Sequence, residues 1–296
     1  MFKGTYIFKQ DGKEIGRSEN LVTKNGRKIL LQYLAGVRNN WAADLAIGAI
    51  QSSPTVNDLE LDFQTLRVPV SIKTYSEAIN IDPDLIIVRA TLPANVYANI
   101  YEVGIFPETQ ISNAAIRDNN ILTDFSDLTN WYKAAGTVNI STFTPNSPDS
   151  PRIGANSVEL TQSTIYKNDS VLFNLDNYTQ LDSLQLLVHG TLSGNLTIEM
   201  TDSLGTSTSY NYTLTENLDY QVLSVPFNEY DKFLGTITSI SISTDSNAVV
   251  TIDAIKASTT AELTTNDFLI SKSGLGTSIA KTYGTPLDIE YYLQIL

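Results

Sequence analysis

The chain contains no cysteine and a single histidine in 296 residues. The first absence removes disulfides and Cys-ligated zinc. The second removes any multi-histidine metal site and leaves His189 as the sole imidazole for a Ser-His-Asp relay. No hydroxyl-and-carboxylate pattern stands around it in sequence, so His189 reads as a satisfied structural histidine in a strand ending at Gly190. No run approaches about 18 apolar residues, so no membrane-spanning helix is expected. The opening Met-Phe-Lys-Gly-Thr-Tyr begins a strand, which gives no sign of a secretory leader. Charge is sparse as well, at 17% of residues, and acids outnumber bases 32 to 19 for a net charge of −13. Binding nucleic acid needs clustered Lys and Arg. Only small basic groups occur, such as Lys24, Arg27 and Lys28, so nucleic acid is not an expected partner. Gly274 and Gly276 lack the Lys-Ser/Thr of a phosphate-binding loop.

What the sequence does have is alternation. In residues 286–296, Leu287, Ile289, Tyr291, Leu293 and Ile295 fall on one face, and Asp288, Glu290, Tyr292 and Gln294 on the other. Period two marks a strand with one buried face. The Ser/Thr-rich block before it differs in style, so its partner is expected in residues 1–116. Within that first part, Asp11-Gly12 predicts a hairpin. Asn25 reads as the N-cap of a helix over about 25–35 that carries Ile29, Leu30, Tyr33 and Leu34 on one stripe and stops at Gly36. Strands are expected at about 43–50, 64–75, 79–92 and 97–106.

From residue 117 the style changes. Pro145, Pro148 and Pro151 punctuate an irregular loop. Short strands then recur at about 157–163, 169–175, 181–189, 194–201, 207–214, 220–226, 236–243 and 248–257. Eight strands at that spacing predict a sandwich or jelly roll. Residues 262–285 read as a connection with a strand near 267–272 and a Gly-rich loop at Ser273–Gly276. The fold expected is mainly β. A discontinuous outer β-sandwich domain with one helix (1–116 together with 262–296) carries an inserted β-sandwich or jelly-roll domain (117–261).

Two segments resemble known families. Asn20–Gly36, Leu45-Ala-Ile-Gly48, Pro54–Asp58, Glu102-Val-Gly-Ile-Phe106, Ile279-Ala-Lys-Thr and the alternating Leu287–Leu293 strand are similar, in order and spacing, to a domain of tailed-phage virion proteins. That domain occurs on tail, fibre and collar components. The last two motifs usually follow "EVGIF" closely, and here about 145 extra residues (117–261) separate them, which agrees with an insertion. The resemblance implies a non-enzymatic virion structural protein, assembled in the host cytoplasm, whose partners are other virion proteins and copies of itself. Asn120–Trp131 and Val249–Ile255 resemble the first and last strands of carbohydrate-binding-module jelly rolls. That likeness implies a host-surface glycan as a partner and a structural calcium near Asp253.

Asp253 lies between Ile252 and Ala254 in an apolar strand. Buried there it needs a partner, which calcium, backbone N–H groups or an outward orientation would supply. The candidate sugar-stacking aromatics are Trp131, Tyr132, Tyr210, Tyr212, Tyr220 and Tyr230. Tyr210 and Tyr212 are two apart and share a strand face. The alternative places Trp131 in the core and the tyrosines over sheet edges. Asp124, Asp127, Glu159 and Glu199 are carboxylates that could in principle work in pairs, but their spacing marks no acid/base pair, and no catalytic residue is assigned. Trp41 is expected at an interface or in the core of the outer domain.

Overall fold

The computed structural model describes residues 2–73, 85–107, 121–175, 178, 182–227, 235–258 and 268–295. The chain divides into two compact units. One comprises Met1–Asn119, Pro145–Ser147 and Leu263–Leu296, and the other Asn120–Thr144 and Pro148–Glu262.

The first unit is built from β1 (Phe2–Gln10), β2 (Lys13–Glu19), β3 (Leu21–Val22), α1 (Lys24–Leu34), β4 (Asp44–Gly48), β5 (Gln64–Pro69), β6 (Ser71–Lys73), β7 (Leu85–Leu92) and β8 (Ala98–Phe106). From the far end of the chain it takes β19 (Ser271–Lys281) and β20 (Leu287–Ile295). The strands form two antiparallel sheets, ordered β2-β1-β20-β7-β6 and β3-β19-β8-β4-β5. The carboxy-terminal strand is thus central in its sheet: Tyr6 pairs with Tyr291 on one side and Val88 with Tyr291 on the other. Leu287, Ile289, Tyr291 and Leu293 are all buried, as the alternation requires. The side chain of Ile295 lies outside the described residues. Facing them are Leu45 and Ile47 of β4 and Val103 and Ile105 of β8, with Trp41 fully buried among them. Trp41 therefore belongs to the core.

Helix α1 begins one residue earlier than the sequence suggests. Thr23, not Asn25, is the N-cap: its Oγ1 accepts from Gly26 N–H at 2.9 Å. Asn25 instead donates through Nδ2 to Phe268 O. The helix lies so close to residue 270 that a Cβ on Gly26 would stand 2.0 Å from the Ile270 carbonyl oxygen. The expected Gly-rich loop at 273–276 is part of β19. Glycine is needed there for clearance, since a Cβ on Gly274 would meet Ser52 O at 1.9 Å.

The second unit holds β9 (Ile121–Thr123), β10 (Trp131–Thr142), β11 (Asn156–Asn168), β12 (Phe173–Asn174), β13 (Ser183–His189), β14 (Gly194–Asp202), β15 (Ser207–Leu214), β16 (Gln221–Pro226), β17 (Thr236–Thr244) and β18 (Val249–Ser258). The main order is β15-β14-β17-β11-β18-β13-β16. β11 serves both layers of the sandwich. Its first half (158–161) pairs with β18 and its second half (165–168) with β17. The crossover lies at Ser163, whose φ is 54°, opposite Gly136 of β10 at φ 73°. A Cβ at Gly136 would also strike Thr164. Such left-handed kinks let a strand change sheets. β10 was not expected. Most of its residues are exposed, so it shows no apolar alternation to read.

Candidate functional site

The second unit gathers polar and aromatic side chains where residues 150–152 meet Tyr220, just before β16, and Asp253 in the middle of β18, with His189 at the end of β13 stacked on Tyr220. Tyr220 stands at the centre. Its hydroxyl donates to Ser150 O at 2.8 Å. The Arg152 guanidinium carbon lies 3.8 Å from its ring centroid, and the His189 ring stacks at 4.3 Å with an interplanar angle of 29°. An arginine over an aromatic face is a cation–π contact. Beneath it, Arg152 N–H donates to Asp253 Oδ2 at 2.7 Å.

His189 is held below its ordinary value, first by burial and then by the Arg152 charge, against the opposing pull of Asp149 and Glu159. Its Nε2 is buried with no hydrogen-bond partner. The sequence expectation of a satisfied histidine is corrected on this point. The ring acts through its face, as a stacking surface on Tyr220.

Asp253 is fully buried, and burial pushes its carboxyl well above the usual range despite the backbone N–H groups of Arg152 and Ile153. One oxygen, Oδ1, has no partner. The residues present fit calcium poorly. Among the described residues no group of three or more His, Cys, Asp or Glu side chains is placed to hold a metal ion. The other carboxylate oxygen is committed to the Arg152 N–H, and the Arg152 charge stands nearby. A proton on Oδ1 meets the same need as an ion, because burial favours the neutral acid.

The expected sugar-stacking residues separate. Tyr210 is fully buried, Tyr212 is 4% exposed and Trp131 9%. Tyr210 meets Phe227 edge-on at 5.8 Å, and Tyr212 donates its hydroxyl to Leu184 O. Trp131 stacks on Tyr166 at 4.9 Å and leans on Phe125 at 5.1 Å. These three rings are core, which corrects their assignment to a glycan surface: a ring with no exposed face has none to offer a sugar. Tyr132 alone of the four is exposed. Its hydroxyl donates to Asp169 Oδ2 at 2.6 Å, and Asp169 also accepts from Ser239. Tyr230 lies outside the described residues. The four acids weighed for catalysis are locally engaged or exposed. Asp124 and Asp127 accept from the Ser126 and Thr129 N–H groups, Glu159 accepts from Asn139, and Glu199 is solvent-facing.

The first unit carries two ionic clusters. Lys272 is 1% exposed and lies 3.0 Å from Asp62, 3.3 Å from Glu102 and 3.6 Å from Asp58. Glu102 also accepts the N–H groups of Asp62 and Phe63. Burial would lower Lys272, but Glu102, Asp62 and Asp58 outweigh it and hold its charge. On β20, Glu290 accepts from Lys9, Arg89 and Tyr292. Burial would raise this carboxyl, yet those donors bring it down to about 2. Neither cluster was foreseen, because each joins residues far apart in sequence.

No family model and no curated protein matches the chain. Solved structures do. The enzymatically active domain of tailspike protein 4 from bacteriophage CBA120 is 15% identical at a TM-score of 0.33, over 47% of this chain and 21% of that one. A family 11 carbohydrate-binding module from Clostridium thermocellum, in complex with a β-1,3-1,4-mixed-linked tetrasaccharide, is 15% identical at 0.31, over 47% and 94%. TmCBM61, in complex with β-1,4-galactotriose, is 13% identical at 0.33, over 48% and 99%. The chain thus spans about a fifth of the tailspike domain's length and nearly all of each binding module's.

Proposed function

We propose that this chain is a non-enzymatic structural component of a tailed-phage particle, docking through its first unit and displaying the second. One observation carries the reading. β20 lies between β1 and β7, so segments from either side of the 120–262 unit close one sheet. The strands on either side of the inserted unit, β8 and β19, also pair with each other, Ile105 with Ser271, so the first unit holds both connections to its displayed module side by side. The motifs that resemble tail, fibre and collar proteins support it, since Leu45–Gly48, Glu102–Phe106, Ile279–Lys281 and Leu287–Leu293 are strands of that one unit. Its partners are other virion proteins and further copies of the chain, and its place is the assembled particle.

Immunogold labelling of purified particles, with antibody raised against residues 120–262, tests the proposal. Regular decoration at one part of the particle is expected. Unlabelled particles, with the protein left in the soluble fraction of the lysate, would refute it.

A second reading, attachment to a surface glycan, rests on exposed Tyr132 with its Asp169 partner. A half-exposed ring beside a carboxylate offers an apolar face and a hydrogen-bond acceptor to a sugar. On a glycan array the chain would bind, and Tyr132→Ala would lose that binding. An array without signal removes this reading and leaves the scaffold role.

A further inference from the structure

Strand β10 has one paired edge and one open edge. Among the described residues its only ladder partner is β11. The register of that pair is unbroken from Thr137 opposite Thr161 to Thr142 opposite Asn156. Thr137 N–H donates to Thr164 Oγ1 of β11 at 3.0 Å, and Thr137 O accepts from the same hydroxyl at 3.0 Å. Just past the strand, Phe143 N–H donates to Ala155 O at 2.9 Å. Backbone groups of an antiparallel strand alternate between its two edges, so the odd-numbered residues from 137 to 143 turn toward β11. Val138, Ile140 and Thr142 turn their N–H and C=O groups the other way, where no strand among the described residues meets them.

The side chains of this stretch stop short of a finished core as well. Val138 and Ile140 stand opposite Leu160 and Val158, which are fully buried. Cross-strand partners share a face, so the row belongs to the core side of the sheet, yet Ile140 is 50% exposed. Other strands at sheet ends are guarded against pairing. β2 carries Lys13, Glu14, Arg17 and Glu19, and β5 and β16 end in Pro69 and Pro226. β3 and β6 are two and three residues long. β15 is uncharged, but its Tyr210, Tyr212 and Leu214 are already buried. β10 has neither charge nor proline after Lys133.

The occupant that fits this edge is the same strand of a second copy. An antiparallel edge is its own complement across a two-fold axis, because each N–H meets a C=O and each C=O an N–H. With the axis at Asn139, Val138 of each copy falls opposite Ile140 of the other. Their outward backbone groups bond, and both apolar side chains gain an apolar neighbour. Lys133, the one charged residue of β10, falls beyond the end of the other strand and opposes no like charge. We infer that β10 pairs edge to edge with β10 of a second copy, joining two second units through one antiparallel ladder. The inference rests on the scaffold reading, in which copies of the chain are partners, and names the surface where two of them meet.

Sedimentation velocity on the full chain should show dimers at about 100 µM. Ile140→Pro removes an outward N–H and no β10–β11 bond, so it should weaken association at least about tenfold with an unchanged circular-dichroism spectrum. Ile140→Lys keeps the backbone, adds charge at the edge and should act alike. The chain has no cysteine, so one introduced thiol reports the register. Asn139→Cys meets itself across the axis, in a non-hydrogen-bonded pair with Cα atoms about 4.5 Å apart, and should oxidise to a linked dimer. Thr142→Cys falls opposite Gly136 of the other copy and should stay unlinked. A wild-type chain that stays monomeric would overturn the pairing and leave the edge to a strand of a different protein. Proline and lysine variants that dimerise as the wild type does would also overturn it, as would linkage at Thr142→Cys without linkage at Asn139→Cys. Immunogold decoration of particles separates this failure from failure of the virion reading: a monomer in solution that still labels particles loses only the pairing.

Discussion

The two units stabilise similar β-sandwiches by different means. The first threads charge and hydroxyl groups through its interior. Lys272 and Glu102 sit buried in one ionic cluster, Glu290 with Lys9 and Arg89 in another, and Tyr6 bonds the Ser271 hydroxyl at 2.6 Å. Each of these links joins strands more than 150 residues apart. The second unit relies on a continuous apolar core of stacked and edge-on rings around Trp131, Tyr166, Tyr210 and Phe227, with the carboxyls of Asp182 and Asp253 also buried. A unit whose strands come from both sides of a long intervening module has many competing registers. Charge pairs that are satisfied in one register alone select it, since a slip of one residue buries an unpaired charge. A unit whose strands follow one another closely has less need of such locks.

Four measurements can break or sharpen this contrast. The largest effect is expected at the first unit's lock. Lys272→Met leaves Glu102 uncompensated and should cost about 3–5 kcal/mol. In calorimetry one transition should move and the other stay. Adding Glu102→Gln should recover part of the loss, and a double variant worse than the single would remove the lock from the account. Next is Tyr210→Ala, a core truncation expected to cost about 3 kcal/mol in the second unit only. Movement of both transitions would show that the units do not unfold separately.

The third measurement is a pH series, in which Glu290 of the first unit and Asp253 of the second should contribute with opposite sign. Glu290 is depressed from 4.5 to about 2, so its contribution is complete above about 4.5 and fades as pH falls toward 2. Asp253 is raised, so its burden on the folded state is absent in acid and grows as pH rises past the ordinary carboxyl value. Glu290→Gln should flatten the acid loss of the first unit, and Asp253→Asn the neutral-pH penalty of the second. Parallel pH responses in wild type and both variants would contradict the assignment. The smallest effect is at Tyr132. Its exposed ring predicts that Tyr132→Ala changes stability by less than about 0.5 kcal/mol, whatever it does to binding. A larger loss would place that ring in the core with Trp131.

Much of the fold was legible because strands with one wet face announce themselves. β20, β14 and β15 alternate, and turn residues bound them. β10 was missed because its exposed residues carry no pattern. β19 (Ser271–Lys281) runs on past the strand expected near 267–272, which ends early because Gly274 and Gly276 read as loop. The candidate site was far less legible. Tyr210 and Tyr212 were placed on one face of one strand, and they share it. Which face looks inward depends on the layer that covers it, and alternation with Ser209, Asn211 and Thr213 does not distinguish a half-polar ring outside from one inside.

The amino-acid sequence by itself determined the local order: where strands and the helix form, which residues share a face, and that disulfides, Cys-ligated zinc and multi-histidine metal sites are excluded. Those properties depend on neighbours within a turn or a pleat. The tertiary structure alone decided that Lys272 answers Glu102, that Arg152 covers Tyr220 and that Asp253 lies beneath them. Such contacts join residues tens to hundreds of positions apart, and only the packing of sheets sets which of them meet.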